Sequence, residues 1–386
     1  MNQALISPVV LRWARERSRL EQQGLAEIAN VKHEKLQLWE RGETRPTFKQ
    51  AQNLAKALHI PFGYLFLQKP PVEKLPIPDL RTVGDHAIDN PSTDLRDLLT
   101  DTLRKQEWYR DHLLNQGAEP LAFVGRFNTN ATPEKIVADM TSTLGLSLAE
   151  REKTAHREDF LRLLLDKAES AGIAVLRSGI VGSNTHRGLD VQEFRGFAIS
   201  DGIAPFIFIN SKDAKAGQIF TMMHELAHIW IGQSGITDIS LTKHSDSIQR
   251  RSEKLCNAVA AQLLVPQESL KEAWSGSESV EENADRLARH FRVSTVVVAR
   301  RAFDIGLIAW PVYSDYYRQQ AALWQRKNHG DGGNPYRNIL ARNGRQFSQA
   351  VVGSALARNL LLRDAGRLLG LNPSKIIRLA QEMGIG

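Results

Sequence analysis

The chain has 386 residues, 50 Lys/Arg against 43 Asp/Glu, one cysteine and a formal charge of +7. That length suits two or three domains with cores of their own, and a single cysteine excludes an internal disulfide and fits a reducing cytoplasm. No apolar run approaches the roughly 18 residues of a membrane span, and the first residues lack a signal-peptide pattern, so a cytoplasmic protein with no membrane partner is expected. The charge is uneven: residues 1–70 carry 11 Lys/Arg against 6 Asp/Glu and residues 311–386 carry 11 against 4, leaving 28 against 33 between them. Basic ends point to nucleic acid, whose phosphates supply most non-specific binding energy; ordinary solvated surface is the alternative.

Residues 8–67 read as a bundle of short helices. Pro8 can open the first, with Val9, Val10, Trp13 and Ala14 at helical spacing. Leu25-Ala26-Glu27-Ile28-Ala29-Asn30-Val31 forms a short helix and turn, followed by a second helix over 33–41. Small Ala26, apolar Val31 and Leu36, and Trp39 closing the pair supply the packing of a helix-turn-helix. Asn30 sits at the turn and tolerates a left-handed backbone. After the breaker Gly42-Glu43-Thr44-Arg45-Pro46-Thr47, residues 48–59 carry Ala51, Leu54, Ala55 and Leu58 on one face.

The strings L-A-E-I-A, W-E-R-G-E-T-R-P and I-P-F-G-Y-L-F make residues 8–67 resemble the Cro/repressor-type (XRE) helix-turn-helix. The resemblance implies double-stranded operator DNA as a partner, with His33, Glu34, Lys35 and Gln37 facing the major groove and Lys32, Arg41 and Arg45 meeting phosphates. A domain of this fold used only for docking or dimerisation is the alternative.

Residues 68–91 read as a linker, because Lys69-Pro70-Pro71, Pro76-Ile77-Pro78 and Asn90-Pro91 stop helices repeatedly. Helices are predicted over 94–116, over 133–144 with Pro133 at the first position, and over 150–171, where Phe160, Leu161, Leu164 and Leu165 read as core. From Gly172 the period changes. Ile173-Ala174-Val175-Leu176, Gly196-Phe197-Ala198-Ile199 and Phe206-Ile207-Phe208-Ile209 read as strands of a small sheet whose groove can take a substrate chain as an added strand. Arg195 and Asn210 flank them as structural hydrogen-bonders first and substrate contacts second.

Phe220-Thr221-Met222-Met223-His224-Glu225-Leu226-Ala227-His228-Ile229-Trp230 contains H-E-x-x-H. On a helix His224 and His228 lie i, i+4 on one face and can reach a single tetrahedral zinc, with Glu225 beside them as a general base. Phe220, Met223, Leu226, Ala227 and Ile229 are expected to bury the rest of that helix. A third ligand is sought downstream. Residues 253–266 read as an amphipathic helix stopped by Pro266, with Leu255, Val259, Leu263 and Leu264 as packing face and Glu253 in the first turn. Glu253 can lean over the metal, or simply complement the helix dipole.

Ile207-Phe208-Ile209-Asn210, His224-Glu225-Leu226-Ala227-His228, residues 253–257 and Leu263-Leu264-Val265-Pro266 together resemble the ImmA/IrrE family of zinc metallopeptidases over residues 172–310. The resemblance implies Zn2+ held by His224, His228 and Glu253, Glu225 as general base, and action on helix-turn-helix repressors. Ala227 and Cys256 stand where glycine and alanine are usual; the thiol is a small buried hydrophobe or an extra sulfur near the metal. His244 is a candidate oxyanion stabiliser.

Farther on, one spacing recurs: Ala26, Val31 and Leu36 are echoed by Ala288, Val293 and Val298, and again by Gly366, Leu371 and Ile376. The resemblance puts the middle unit inside the peptidase. The last, with Arg358, Arg363, Arg367, Lys375 and Arg378, offers a basic docking surface, while Leu360, Leu361, Leu362, Leu368 and Leu369 could equally form a dimer interface. The turn cluster Asp331-Gly332-Gly333-Asn334-Pro335-Tyr336 has no G-K-[ST] after it and is no phosphate loop, and no Ser or Cys nucleophile arrangement stands out.

The expected fold is mainly α with a small β-sheet (α+β): an all-α helix-turn-helix domain (1–67), a Pro-rich linker (68–91), a zincin-like metallopeptidase domain with helical scaffold (92–310) and a basic helical C-terminal domain (311–386). The expected function is a DNA-binding regulator with a zinc endopeptidase that cleaves or inactivates a repressor or antitoxin. The alternative is a non-proteolytic repressor or antitoxin that binds operator DNA and a toxin partner, its zinc site vestigial or sensory. A homodimer fits either.

Overall fold

Ser7 opens the first helix: its hydroxyl accepts the Val10 N–H at 3.5 Å and Pro8 takes the first helical position. In the computed structural model, which describes residues 3–71, 77, 82–83, 86–87, 91–237, 248–324 and 335–385, the chain forms two units. One takes residues 1–76 and 88–100, the other residues 77–87 and 101–386.

The first unit contains α1 (Pro8–Arg17), α2 (Gln22–Ile28), α3 (His33–Arg41), α4 (Phe48–Ala57), a 3-10 turn (Phe62–Phe66) and the start of α5 (Thr93–Asn115). Leu11, Leu25, Leu36, Leu54 and Leu65 are fully buried in its core. Between α2 and α3 Asn30 takes the left-handed conformation (φ +53°), and the Val31 N–H closes the turn on the Ala26 carbonyl at 2.9 Å. Gly42 (φ +76°) ends α3, and a Thr47/Gln50 capping box starts α4. One device was not read from the sequence. Buried Glu40, next to Trp39, accepts from Arg15 Nε (2.7 Å) and Nη2 (3.1 Å) and from Gln22 Nε2 (2.7 Å), tying α1, α2 and α3 through one carboxylate.

The second unit continues α5 and adds β1 (Thr82–Val83) and β2 (His86–Ala87), an antiparallel pair inside the segment expected to be linker; most of that segment lies outside the described residues. Next come α6 (Pro133–Leu144), α7 (Leu148–Glu152) and α8 (Arg157–Ser170). Where one helix was expected over 150–171 there are two. Arg292 takes the Thr154 carbonyl at 2.9 and 3.1 Å, so a tertiary contact holds the break that helical periodicity alone does not reveal.

Strands β3 (Ala174–Ser178), β4 (Gly196–Ile199), β5 (Phe206–Asn210) and, after α9 (Lys215–Trp230), β6 (Gly235–Thr237) form a sheet in the order β3-β5-β4-β6. β3 and β5 are parallel; β4 runs antiparallel to β5 and β6. Three of these strands were expected, whereas three-residue β6 is too short to show a period. Alternation along β5 sends Ile207 and Ile209 into the core of α9, with Ile219, Met222 and Met223, and sends Phe206 and Phe208 to the opposite face.

Phe208 stacks on Phe197 at 5.1 Å, while Phe206 meets Phe347 and Tyr109. The rest of the unit is helical: α10 (Ile248–Leu264), α11 (Gln267–Ala273), α12 (Val280–His290), α13 (Thr295–Asp304), α14 (Trp310–Trp324), α15 (Pro335–Asn343), α16 (Arg345–Leu356), α17 (Leu362–Leu369), a 3-10 turn (Pro373–Lys375) and α18 (Ile376–Glu382). Phe347 belongs to α16, so the tail helices cover the second face of the sheet within the same unit. Of the turn cluster at 331–336, only Pro335 and Tyr336 fall among the described residues, in α15. No helix among the described residues is long and apolar enough to cross a membrane.

The tail is held by buried polar groups. Lys105 Nζ donates to Asn343 Oδ1 at 2.9 Å, Asn343 Nδ2 donates to the Leu369 carbonyl at 3.1 Å, and Glu169 Oε1 accepts the Arg345 N–H at the start of α16 at 2.8 Å. Gly344 (φ +76°) lets the chain pass there, since a Cβ would stand 2.6 Å from that oxygen and 2.9 Å from the Val175 carbonyl. Burial outweighs the N–H contact and pushes the Glu169 carboxyl up from 4.5 to about 7.

A carboxyl raised on folding contributes stability that is complete below its unfolded value and is lost as pH climbs to about 7. In chemical unfolding followed by hydrogen exchange in α16, Glu169→Gln should flatten this slope between pH 4.5 and 7. Above pH 7 it should stabilise the unit, by up to about 3 kcal/mol.

Candidate metal centre and helix-turn-helix surface

The junction entering α9 is pinned before the helix begins. Gln218 Nε2 donates to the carbonyls of Ser211 (3.1 Å) and Asp213 (2.7 Å), and Asp213 pairs with Arg195 at 3.1 Å. Asn210, fully buried, donates to the Phe194 carbonyl at 3.2 Å and accepts the Lys212 N–H at 3.1 Å. Arg195 and Asn210 thus fix the β5–α9 turn. The helix is buried on nearly all sides, with Trp230 Nε1 donating to Asp139 at 2.8 Å and its ring stacked on Phe123 at 4.5 Å; of the five apolar residues expected inside, Phe220 is only half-buried. A helix so enclosed holds its polar side chains in one geometry.

His224 and His228 lie at i, i+4 with no exposed surface, their Nε2 atoms 3.1 Å apart. Glu253, in the second turn of α10, brings Oε2 to 3.3 Å from His224 Nε2 and Oε1 to 3.1 Å from His228 Nε2. The second of these is close without being aligned as a hydrogen bond. One ligand atom from each of the three residues falls within 4.8 Å of the others, a group able to hold a metal ion. For zinc bonds of roughly 2.0–2.1 Å, neighbouring corners of a tetrahedron stand about 3.3–3.4 Å apart, close to what these donors adopt.

His224 Nδ1 lies 3.0 Å from Asn257 Oδ1. With that oxygen as acceptor the ring carries its proton on Nδ1, and the Nε2 lone pair points at the shared centre. Protons satisfy these three donors only in pairs; a cation satisfies all three at once. The donor set therefore fits Zn2+.

Burial opposes charge on His224, but Glu253 reverses this and raises it, whereas burial lowers His228. Against its own desolvation Glu253 is held down at about 2 by the two imidazoles. Its side chain keeps 18% of its surface exposed, the one opening among the three.

Glu225 is fully buried beside the pair. Gly196 of β4 makes room for it, because a Cβ there would meet Thr221 Cγ2 at 2.5 Å, the Phe208 carbonyl at 2.9 Å and Glu225 Oε1 at 3.1 Å. Asn257 and Gly196 were missed in the sequence. Asn257, i+4 from Glu253 on the same face, was findable; Gly196 needed the packing of β4 under α9. Cys256 is buried in the apolar core, where burial pushes its thiol well above the ordinary value. His244 lies outside the described residues.

In the first unit Lys32, Glu34, Lys35, Arg41 and Arg45 are exposed, while His33 and Gln37 are half-buried and touch each other through His33 Nε2 and Gln37 Nε2 at 3.2 Å. These seven residues lie along the outer side of α3 and its flanking turns, while Leu36 and Trp39 face inward.

Comparison with known families matches residues 11–65 to a helix-turn-helix family, residues 168–303 to the IrrE N-terminal-like domain, a peptidase family, and residues 343–382 to a domain of unknown function. No curated protein matches the chain. The chain is thus a fusion of an XRE-type helix-turn-helix with an IrrE/ImmA-like domain, in an α+β fold.

Replacing Asn257 by Ala should weaken zinc binding by about 10–100-fold in competition with a chromophoric chelator, because His224 loses the partner that sets its tautomer. Cys256→Ala should leave that affinity within a factor of about two, since small apolar swaps at an inert buried thiol change little.

Proposed function

We propose that this protein is a DNA-binding regulator, acting in the cytoplasm, whose second unit is a zinc-dependent endopeptidase directed at a protein that controls transcription, such as a repressor or antitoxin. The observation that carries this reading is the convergence of His224, His228 and Glu253 on one buried point, with the Glu225 carboxylate alongside. A purely structural zinc has no need of an additional buried acid next to its ligands.

When bound, zinc supplies polarisation of a carbonyl oxygen and acidification of water. His224 and His228 on one face of α9, together with Glu253 on α10, would hold the ion. Glu225 takes a proton from the attacking water as the new C–O bond forms. It then gives that proton to the amine that leaves when the C–N bond breaks, so one carboxylate serves as base and then acid. Burial of the histidines and Glu225 keeps bulk water from competing for these hydrogen bonds.

The sheet offers a way to orient the substrate. β6 pairs with β4 and, among the described residues, with no other strand. Thr237 of β6 stands in register with Gly196, the residue against Glu225. An extended peptide laid along β6 as an added strand would run past the base, with backbone hydrogen bonds setting its register. In the first unit, Lys32, Arg41 and Arg45 serve phosphates, and His33, Glu34, Lys35 and Gln37 serve base edges.

The test is zinc content and peptide cleavage on the purified chain, with repressor proteins and a peptide library as substrates. One zinc per chain is expected, and Glu225→Gln should keep the metal while lowering kcat by about 10²–10⁴-fold. Metal and DNA binding without any cleavage would instead favour the non-proteolytic regulator.

A further inference from the structure

A turn that ends several helices of this chain, α4, α8, α13 and α18 among them, also lies between α2 and α3, between α12 and α13 and after α17. In the first unit the Val31 N–H bonds to the Ala26 carbonyl at 2.9 Å, with Asn30 left-handed (φ +53°) between them. Between α12 and α13 the Val293 N–H bonds to the Ala288 carbonyl at 3.0 Å, with Arg292 left-handed (φ +57°). After α17 the Leu371 N–H bonds to the Gly366 carbonyl at 2.8 Å, with Gly370 left-handed (φ +67°). In each case the second helical segment starts seven residues after the small residue, at His33, Thr295 and Pro373. Gly366 is required at its place, for a Cβ would stand 2.7 Å from the Leu371 carbonyl.

The second segments differ in what they leave exposed. In α3, Leu36, Trp39 and Glu40 are buried; in the last copy Ile376, Leu379 and Ala380 are buried at the matching three positions. Ser374, Lys375, Ile377 and Arg378 are left outside, with Ile377 54% exposed. The middle copy is spent on packing. Val296 and Ala299 of α13, at the places of exposed Ser374 and Ile377, are buried in one cluster with Tyr313 of α14. A turn of this shape alone therefore does not make a reader; an uncovered second helix does.

We propose that residues 361–383 form a second DNA-reading helix-turn-helix, in the region matched to a domain of unknown function, whose ligand is duplex DNA. Lys375 and Arg378 on its outer side, with exposed Arg363 and Arg367 on α17, serve phosphates, and Ile377 faces the groove, where an apolar side chain meets a thymine methyl. Charge favours DNA over a second copy of the chain: residues 343–382 carry six Lys/Arg against two acids, and like patches repel across a two-fold axis.

The inference stands apart from the peptidase reading and from the role given to α3. Its test uses the full chain with the first reader disabled by Lys32→Ala, Lys35→Ala, Arg41→Ala and Arg45→Ala, titrated by fluorescence anisotropy against a labelled duplex of mixed sequence. This chain should retain salt-dependent binding. Adding Lys375→Glu and Arg378→Glu should weaken it by about tenfold or more at low salt and reduce the slope of log affinity against log salt by about 2.

If the charge reversals lower the melting temperature, Lys375→Gln with Arg378→Gln reads the same slope. Loss of all binding on disabling the first reader, or binding indifferent to residues 375 and 378, overturns the proposal. So does a dimer, seen by light scattering, that Leu361→Ser with Ile377→Ser splits into monomers while DNA binding is unchanged, because the patch then belongs to a second copy.

Discussion

Three electron-pair donors aimed at one buried point are tolerable only if something shared satisfies them. Here two imidazole nitrogens and a carboxylate meet within 3.1–3.3 Å inside the second unit. Desolvating a charge without a partner costs several kcal/mol, so such a cluster persists only where surrounding packing holds it and a proton or cation repays the burial. The unit meets both demands. α9 is enclosed by the sheet and by α8 and α10, and α10 is fixed at its far end by two arginines on its last carbonyls, Arg151 on Leu264 (2.5 Å) and Arg301 on Val265 (3.2 Å). Cations at a helix C-terminus also oppose its dipole, so the anchors that position α10 stabilise it.

Other buried polar groups follow the same rule at lower stakes. Glu40 gathers Arg15 and Gln22 in the first unit, and Glu169 receives the first N–H of α16 in the second. Each joins elements distant in sequence, and each is costly to leave unpaired, so it selects one arrangement of helices where apolar contacts alone tolerate several. Through Glu169, Asn343 and Phe347 the tail becomes a covering layer for the sheet. β5 can then be apolar on both faces without exposing an aggregating surface.

The recurring turn shows how one local solution serves different ends. A small residue, a left-handed residue four later and an apolar residue five later end a helix and turn the chain, into a second helical segment after α2, α12 and α17 and into strand β3 after α8. What a helix pair is used for depends on which face of the second helix the rest of the protein covers. In α13 that face is buried in one cluster with Tyr313 of α14, while Arg301 on the inner side donates to the Val265 carbonyl at the end of α10. In α3 and α18 it is left to solvent.

The sequence by itself determined the parts governed by short-range periodicity. His224 and His228 share a helix face because four residues make about one turn, Ala26, Asn30 and Val31 make their turn because few residues fit it, and apolar runs after Gly172 make strands. Glu253 was reachable as the first carboxylate of the next amphipathic helix, though equally readable as a dipole partner. Only the tertiary structure brings its carboxylate to the two imidazoles, by packing α10 across α9. It likewise revealed Asn257 behind His224, Gly196 making room for Glu225, the break between α7 and α8, and the tail as part of the second unit. These depend on which surfaces meet across long stretches of chain, and burial acts through area and shape that no local spacing encodes.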